Sequence, residues 1–241
     1  MLKKYEFTNE TKKVKDVFGD IHTLHRIRAL KDFGDVYKGD LGGWLEKESN
    51  LSQGEDCWVY GNAMVYNDAM VYGNAVVFDN AQVFGNAKVF YAAQVYGNAQ
   101  VFDSAWVFNH ARVYGNAQVY GNAQIRDYGE VYNNAIVYGN AWVHGTACVY
   151  NDAQVYGNAQ VHGHAQVFGH AKIYDNAWVY DSALVGNAQV FGNARVSDSA
   201  QVYDIAKVYD DAQVFGNAWV SGNSVVCGDT EVCGETEIFG D

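Results

Sequence analysis

From Trp58 onward the chain can be cut every six residues, as in Val59-Tyr60-Gly61-Asn62-Ala63-Met64, and the cut holds to Ile238 with one five-residue exception, Val185-Gly186-Asn187-Ala188-Gln189. Counting through that unit gives 31 repeats, whose first position is Val in 28 and Ile in the other three, Ile125, Ile173 and Ile238. So short a period means a stack of identical small units, none of which can bury a core alone, and no period of propeller-blade length is present. The fifth position is Ala in 26 of the 30 complete units and otherwise Gly129, Ser224, Thr230 or Thr236. A small residue therefore always stands two places before the next Val or Ile. Residues two apart in an extended chain share a face, so Ala and Val point one way and the residue between them the other. The third and fourth positions are mostly Gly, Asp and Asn, which accept the positive φ of a sharp corner. Each hexad reads as one short strand and one corner. Val and Ala are expected to be buried, and the Tyr/Phe positions at least partly exposed, in every coil from Val59 to Val179.

This pattern, a β-branched residue followed four places later by a small one every six residues, resembles the hexapeptide-repeat proteins. The resemblance implies a triangular coil of three hexads and a left-handed winding; the handedness comes from the resemblance alone. The fold class expected is all-β: a single-stranded left-handed β-helix, or β-solenoid, of about ten triangular coils over residues 51–241 behind a small N-terminal β cap over residues 1–50. Coils spaced about 4.8 Å apart would make a rod roughly 48 Å long. The shortened unit lacks an aromatic position. It is expected to interrupt the first aromatic column between Phe168 and Tyr203 without resetting the three-hexad phase.

The first 50 residues break the period. Lys4 to Thr8, Val14 to Phe18 and Ile21 to Leu30 read as short strands, the last two joined across Gly19-Asp20, a small meander suited to block an open sheet edge. The segment from Arg26 to Glu46, with Asp40-Leu41-Gly42-Gly43-Trp44, resembles bacterial and prophage proteins of the YdcK type, which carry a transferase label. At the other end Glu231, Glu235 and Glu237 place charge on the last coils, a second device against edge pairing.

The net charge of -12 is uneven: residues 1–50 hold 10 basic and 9 acidic side chains, leaving 6 basic and 19 acidic in the repeats. With no apolar run long enough for a membrane span, and with Cys57, Cys148, Cys227 and Cys233 in no paired spacing, a soluble cytoplasmic protein with reduced thiols is expected. No cofactor, metal or membrane partner is expected, and no P-loop, GxSxG or HExxH motif occurs. B-DNA carries one charge per about 1.7 Å, far more than the repeats offer over the same length, so acidic DNA mimicry is a weak reading. Nucleic acid is not an expected partner. Ice binding needs ranks of Thr, and the repeats hold only Thr146, Thr230 and Thr236.

The second position is Tyr or Phe in 23 of 30 units, so stacked coils line aromatics into columns. We number the faces from Val59. Such ladders either stabilise neighbouring coils, by about 0.5 to 1.5 kcal/mol per ring pair, or offer a surface to a protein, a glycan or a second copy. The third face is unlike the others. Its column runs Tyr72, Phe90, Phe108 and then Arg126, His144 and His162 before Tyr180. The outward position two residues earlier reads Lys88, Trp106, Gln124, Trp142, Gln160, Trp178, and the adjoining corner adds His110, Tyr128, Thr146 and His164. Arg126, His144 and His162, each 18 residues apart, should form one patch with Trp142, flanked by His164, Tyr128 and His110. A guanidinium repels a cation and offers paired donors, so the patch suits a carboxylate or phosphate, with Trp142 as a flat surface for a base, sugar ring or side chain. Tighter binding below about pH 6.5 is expected if the imidazoles gain protons there. The function expected is a rigid non-enzymatic binding or scaffold protein whose partner is a protein or a small anionic ligand. The hexapeptide-repeat resemblance implies an alternative, a trimeric acyl-CoA-dependent acyltransferase using His110, His144, His162, His164 or His170 as base, although no loop interrupts the hexads.

Overall fold

The computed structural model describes residues 3–17 and 19–241. Phe18, at the end of the strand expected over Val14 to Phe18, lies outside the described residues. The protein is all-β: a single 3-10 turn at Glu48–Asn50 is the one helical segment among the described residues. Each hexad contributes a strand of two or a few residues, paired in parallel with the strand one coil on, as in Gln100↔Gln118 and Val101↔Val119. Eleven strands stack on the first face, ten on the third and thirteen on the second, of which three come from the N-terminal segment. The rod is a β-solenoid of about eleven turns.

The repeat Val, Ile and Ala side chains from Val59 to Val220 form one continuous core, each at most 1% exposed. Burying a valine is worth roughly 1.5 to 3 kcal/mol, so the repeated inward pair supplies most of the drive for stacking. The corners turn through positive φ at Gly, Asn and Asp, for example Gly97 (φ 71°) and Asp103 (φ 54°). Two corners carry asparagine ladders in which the side-chain N–H of one coil donates to the side-chain oxygen of the next. One runs Asn62, Asn80, Asn98, Asn116, Asn134, Asp152, and the other Asn122, Asn140, Asn158, Asn176, Asn193, Asp211, with N···O distances of 3.0–3.3 Å. Both end on an aspartate, which can only accept. Other acidic residues are also structural: Asp79, Asp103, Asp198 and Asp204 each accept the backbone N–H of a glycine one coil on, at 2.9–3.1 Å. Much of the charge of the repeats is thus part of their corners.

The shortened unit behaves as expected. Gly186 occupies the aromatic register between Phe168 and Tyr203, and the phase continues, with Lys172 opposite Gln189. Phe168 and Tyr203 lean toward each other over it, 6.1 Å apart and tilted by 58°. A Cβ at Gly186 would meet the Phe168 ring at 2.8 Å, so the missing side chain is what lets the rings close the gap.

The N-terminal segment departs from expectation in two ways. Lys4 to Thr8 and Val14 to Phe18 are not separate strands: β1 (Tyr5–Lys15) is continuous, with a register irregularity between Phe7 and Thr11, and pairs antiparallel with β2 (Ile21–Ala29). β3 (Leu41–Leu45) follows antiparallel to β2 and then pairs in parallel with Met64–Val65, so the meander is the first part of the second-face sheet. One end of the hairpin closes the core, where Tyr5, Ile27 and Ala29 join Trp58. The other lies against the outside of the second face, where Leu24 and Val14 cover Tyr66, Phe84 and Phe102. Tyr66 and Phe84 are consequently 0% exposed. The expectation that every Tyr/Phe position is open to solvent fails at these rungs, because a non-repeating element docks on them.

The docked end is held by His22, whose Nδ1 lies 2.9 Å from Glu46 Oε1 and Nε2 3.2 Å from Asp16 Oδ2, with the ring 4.9 Å from Tyr66. Burial alone would lower the imidazole pKa, but the hydrogen bonds and charges of Glu46 and Asp16 outweigh it and raise the pKa above its ordinary 6.5. A raised folded value means that the stabilisation is fully present below about 6.5 and is lost as pH rises through the folded value. Protection from hydrogen exchange at Val14 and Leu24, corrected for intrinsic rate, should therefore be full below about pH 6.5 and fall in the window above it. Equal protection across that window would show that His22 does not hold the hairpin.

Candidate functional site

The strip on the third face begins where the aromatic column is interrupted. Rings stack from Tyr72 through Phe90 to Phe108 at 4.8–4.9 Å, and again from His144 through His162 to Tyr180 at 4.8–5.1 Å. Between the two stacks stands Arg126. Its Cζ lies 5.0 Å from the centre of the Trp142 ring, and its Nε is buried without a hydrogen-bond partner. A buried guanidinium N–H left unpaired is expensive. The adjoining corner lacks the asparagine ladder at these levels: Ala92, His110, Tyr128, Thr146 and His164 replace it. His110 and Tyr128 stack at 4.9 Å, and Thr146 Oγ1 lies 2.5 Å from His164 Nδ1.

The structure thus brings Arg126, Trp142, His144 and His162 together, and sets His110, Tyr128 and His164 along the neighbouring corner. Tyr91, Asn109, His110, Asp127 and Tyr128 line a shallow groove there of about 320 Å³. Asp127 connects the two parts, since it lines the groove and its Oδ2 lies 4.0 Å from His144 Nδ1. This carboxylate was not singled out from the sequence, where it looks like any other corner aspartate. Tyr91 had a visible signal, an aromatic residue in a corner position otherwise given to Gly, Asn or Asp; it sits at φ 58° and is 59% exposed. His170, at the first-face corner, lies 3.9 Å from Asp152 and is not part of the strip.

The expected pH response needs correction. Partial burial, the Arg126 charge and His162 push the His144 pKa down to about 4, against a smaller opposing pull from Asp127. His162 is also lowered, by burial first, with Asp181 opposing and Arg126 assisting. His144 is therefore neutral near pH 6.5, and burial beside Arg126 disfavours the charged form of His162 as well. The two imidazoles are hydrogen-bonding groups, and Arg126 carries the positive charge. Among the described residues no group of three or more His, Cys, Asp and Glu is placed to hold a metal ion. No helix among them is long and apolar enough to cross a membrane.

Segments 93–109, 111–127, 131–145, 188–204 and 212–228 match a family model described as the YdcK β-solenoid repeat. The matched segments include Trp106, Arg126, Trp142 and His144. A stretch of 37 residues is 46% identical to a protein of Escherichia coli (strain K12) described as "Uncharacterized acetyltransferase YdcK"; it covers 15% of this chain and 11% of that protein. Coil for coil, this chain is a β-solenoid repeat protein, and five of its segments are similar to the YdcK repeat.

Proposed function

We propose that the protein is a rigid, non-enzymatic binding scaffold whose third face seats an anionic group at Arg126, with residues 1–50 acting as cap and residues 51–241 as a rod wound left-handed. The observation that carries the reading is the unpaired, buried Nε of Arg126 beside Trp142, at the level where the aromatic column gives way, next to a corner without an asparagine ladder. A carboxylate or phosphate accepts a guanidinium's donors in pairs, and the imidazoles of His144 and His162 add further polar contacts. The corner carboxylates are occupied by glycine N–H groups and asparagine amides, which weighs against DNA mimicry.

The test is calorimetry and thermal shift with phosphate, malonate, coenzyme A and an acidic peptide, on the parent protein and on Arg126→Gln. At least one anion should bind the parent about ten-fold more tightly than the variant, which corresponds to a charge-assisted contact. Because the His144 pKa is held down to about 4, protonation of His144 should add nothing to the affinity between about pH 7.5 and pH 5.5, which His144→Gln checks by leaving the pH profile unchanged. Identical responses from the two proteins would sink the reading.

Acetyl transfer is the second reading, supported by the 37-residue similarity to the E. coli protein described as an uncharacterized acetyltransferase. The surface against it is a continuous run of hexads with no loop excursion to wall a groove. A trimer in native mass spectrometry together with turnover of acetyl-coenzyme A would establish that reading in place of ours.

A further inference from the structure

We propose that the third face is a track for a linear β-1,4-linked polysaccharide in which every second sugar bears a carboxylate. This rests on the anion-binding reading of Arg126 and gives that site its ligand class. The outward row beside the column runs from Met70 to Glu231, one residue per coil in parallel register, and its stretch from Lys88 to Arg195 alternates Trp106, Gln124, Trp142, Gln160 and Trp178 between those two cations. The Trp residues recur at every second coil, about 9.6 Å. Each has a cation beside it: Lys88 Nζ 5.0 Å from Trp106, Arg126 Cζ 5.0 Å from Trp142 and Arg195 Cζ 5.4 Å from Trp178. Trp106 and Trp178 remain 38% and 37% exposed.

A β-1,4 linkage turns each pyranose ring over relative to the last, so the same ring face returns at every second sugar, and one sugar advances the chain by about one coil. Indoles at every second coil therefore meet equivalent faces, whose C–H groups stack on the rings. The phase of the charges agrees. Lys88, Arg126 and Arg195 all lie on coils without a Trp, the coils that also hold Gln124 and Gln160. Sugars between the stacked ones would meet amide donors and positive charge. A neutral chain leaves the three cations unpaired. A chain charged at every ring sets carboxylates against indoles and near Asp127 and Asp181. Lys88 and Arg195 are six coils apart, about 29 Å, which calls for a polymer of about seven sugars. Arg195 is hidden from a count by 18, because the shortened unit makes its coil 17 residues long.

The experiment is calorimetry with peptide-free glycan strands of alternating N-acetylglucosamine and N-acetylmuramic acid, about ten sugars long, against their disaccharide, a neutral chitin strand of equal length and an oligothymidylate. The long acidic strand should bind at least about ten-fold more tightly than either the disaccharide or the chitin strand. Trp106→Ala and Trp178→Ala should each lose about ten-fold toward the strand while leaving small anions at Arg126 unaffected. Binding that is independent of length, equal for the neutral strand, or strongest for oligothymidylate overturns the track. If small anions still distinguish the parent from Arg126→Gln, the anion-site reading survives that result; if they do not, both fall.

Discussion

Val119→Asp is expected to break the rod at the middle of its second face. Val119 is 0% exposed and pairs between Val101 and Val137, so the new carboxylate would face Val and Ala side chains with no partner. An unpaired buried carboxylate costs several kcal/mol. In a solenoid each coil touches only its neighbours, so one failed coil separates those on either side. Thermal melting by circular dichroism should fall by roughly ten degrees or split into two transitions, and limited proteolysis should cut near the substitution. The outward neighbour provides the control: Gln118→Asp should stay within about 0.5 kcal/mol of the parent. A Val119→Asp protein that melts like the parent would refute the inward assignment of the valine position.

Lys4→Met is expected to release the loop that joins the cap to the first coil. Lys4 is 0% exposed, and its Nζ donates to Gly54 O (3.1 Å), Glu55 O (3.2 Å), Cys57 O (2.9 Å) and Cys57 Sγ (3.2 Å). Burial pushes its pKa down, and the neighbouring Cys57 opposes that shift. Methionine keeps the length of the side chain but leaves the buried Cys57 carbonyl without this donor, at a cost of about 1–3 kcal/mol. It leaves the part-buried Gly54 and Glu55 carbonyls to solvent. The readout is Cys57, whose thiol is buried and raised in pKa by that burial. Labelling of Cys57 by a thiol reagent, resolved from Cys148, Cys227 and Cys233 by peptide mass spectrometry, should accelerate at least about ten-fold in the variant, following the loss of local stability. Unchanged labelling together with an unchanged melt would mean that the loop holds without Lys4.

The stack of coils was legible because its contacts repeat. Val at the first position, a small residue at the fifth and corner residues between them state the same local geometry 31 times. Parallel pairing then turns that geometry into three sheets and a core. The gap at Gly186 was legible for the same reason, since removing one residue from a periodic stack removes one ring from one column. Contacts made once were decided only by the tertiary structure. Tyr66 and Phe84 look like every other aromatic position, yet they are buried because Leu24, some 40 residues earlier, lies across them. Asp127 is an ordinary corner residue until the next coil places His144 beside it. The imidazoles have ordinary side chains, but burial beside Arg126 holds His144 neutral well below pH 6.5. Periodicity encodes what each unit does to its copies. Desolvation and charge depend on neighbours that no period specifies, so they emerge only when the coils and the N-terminal hairpin are in place.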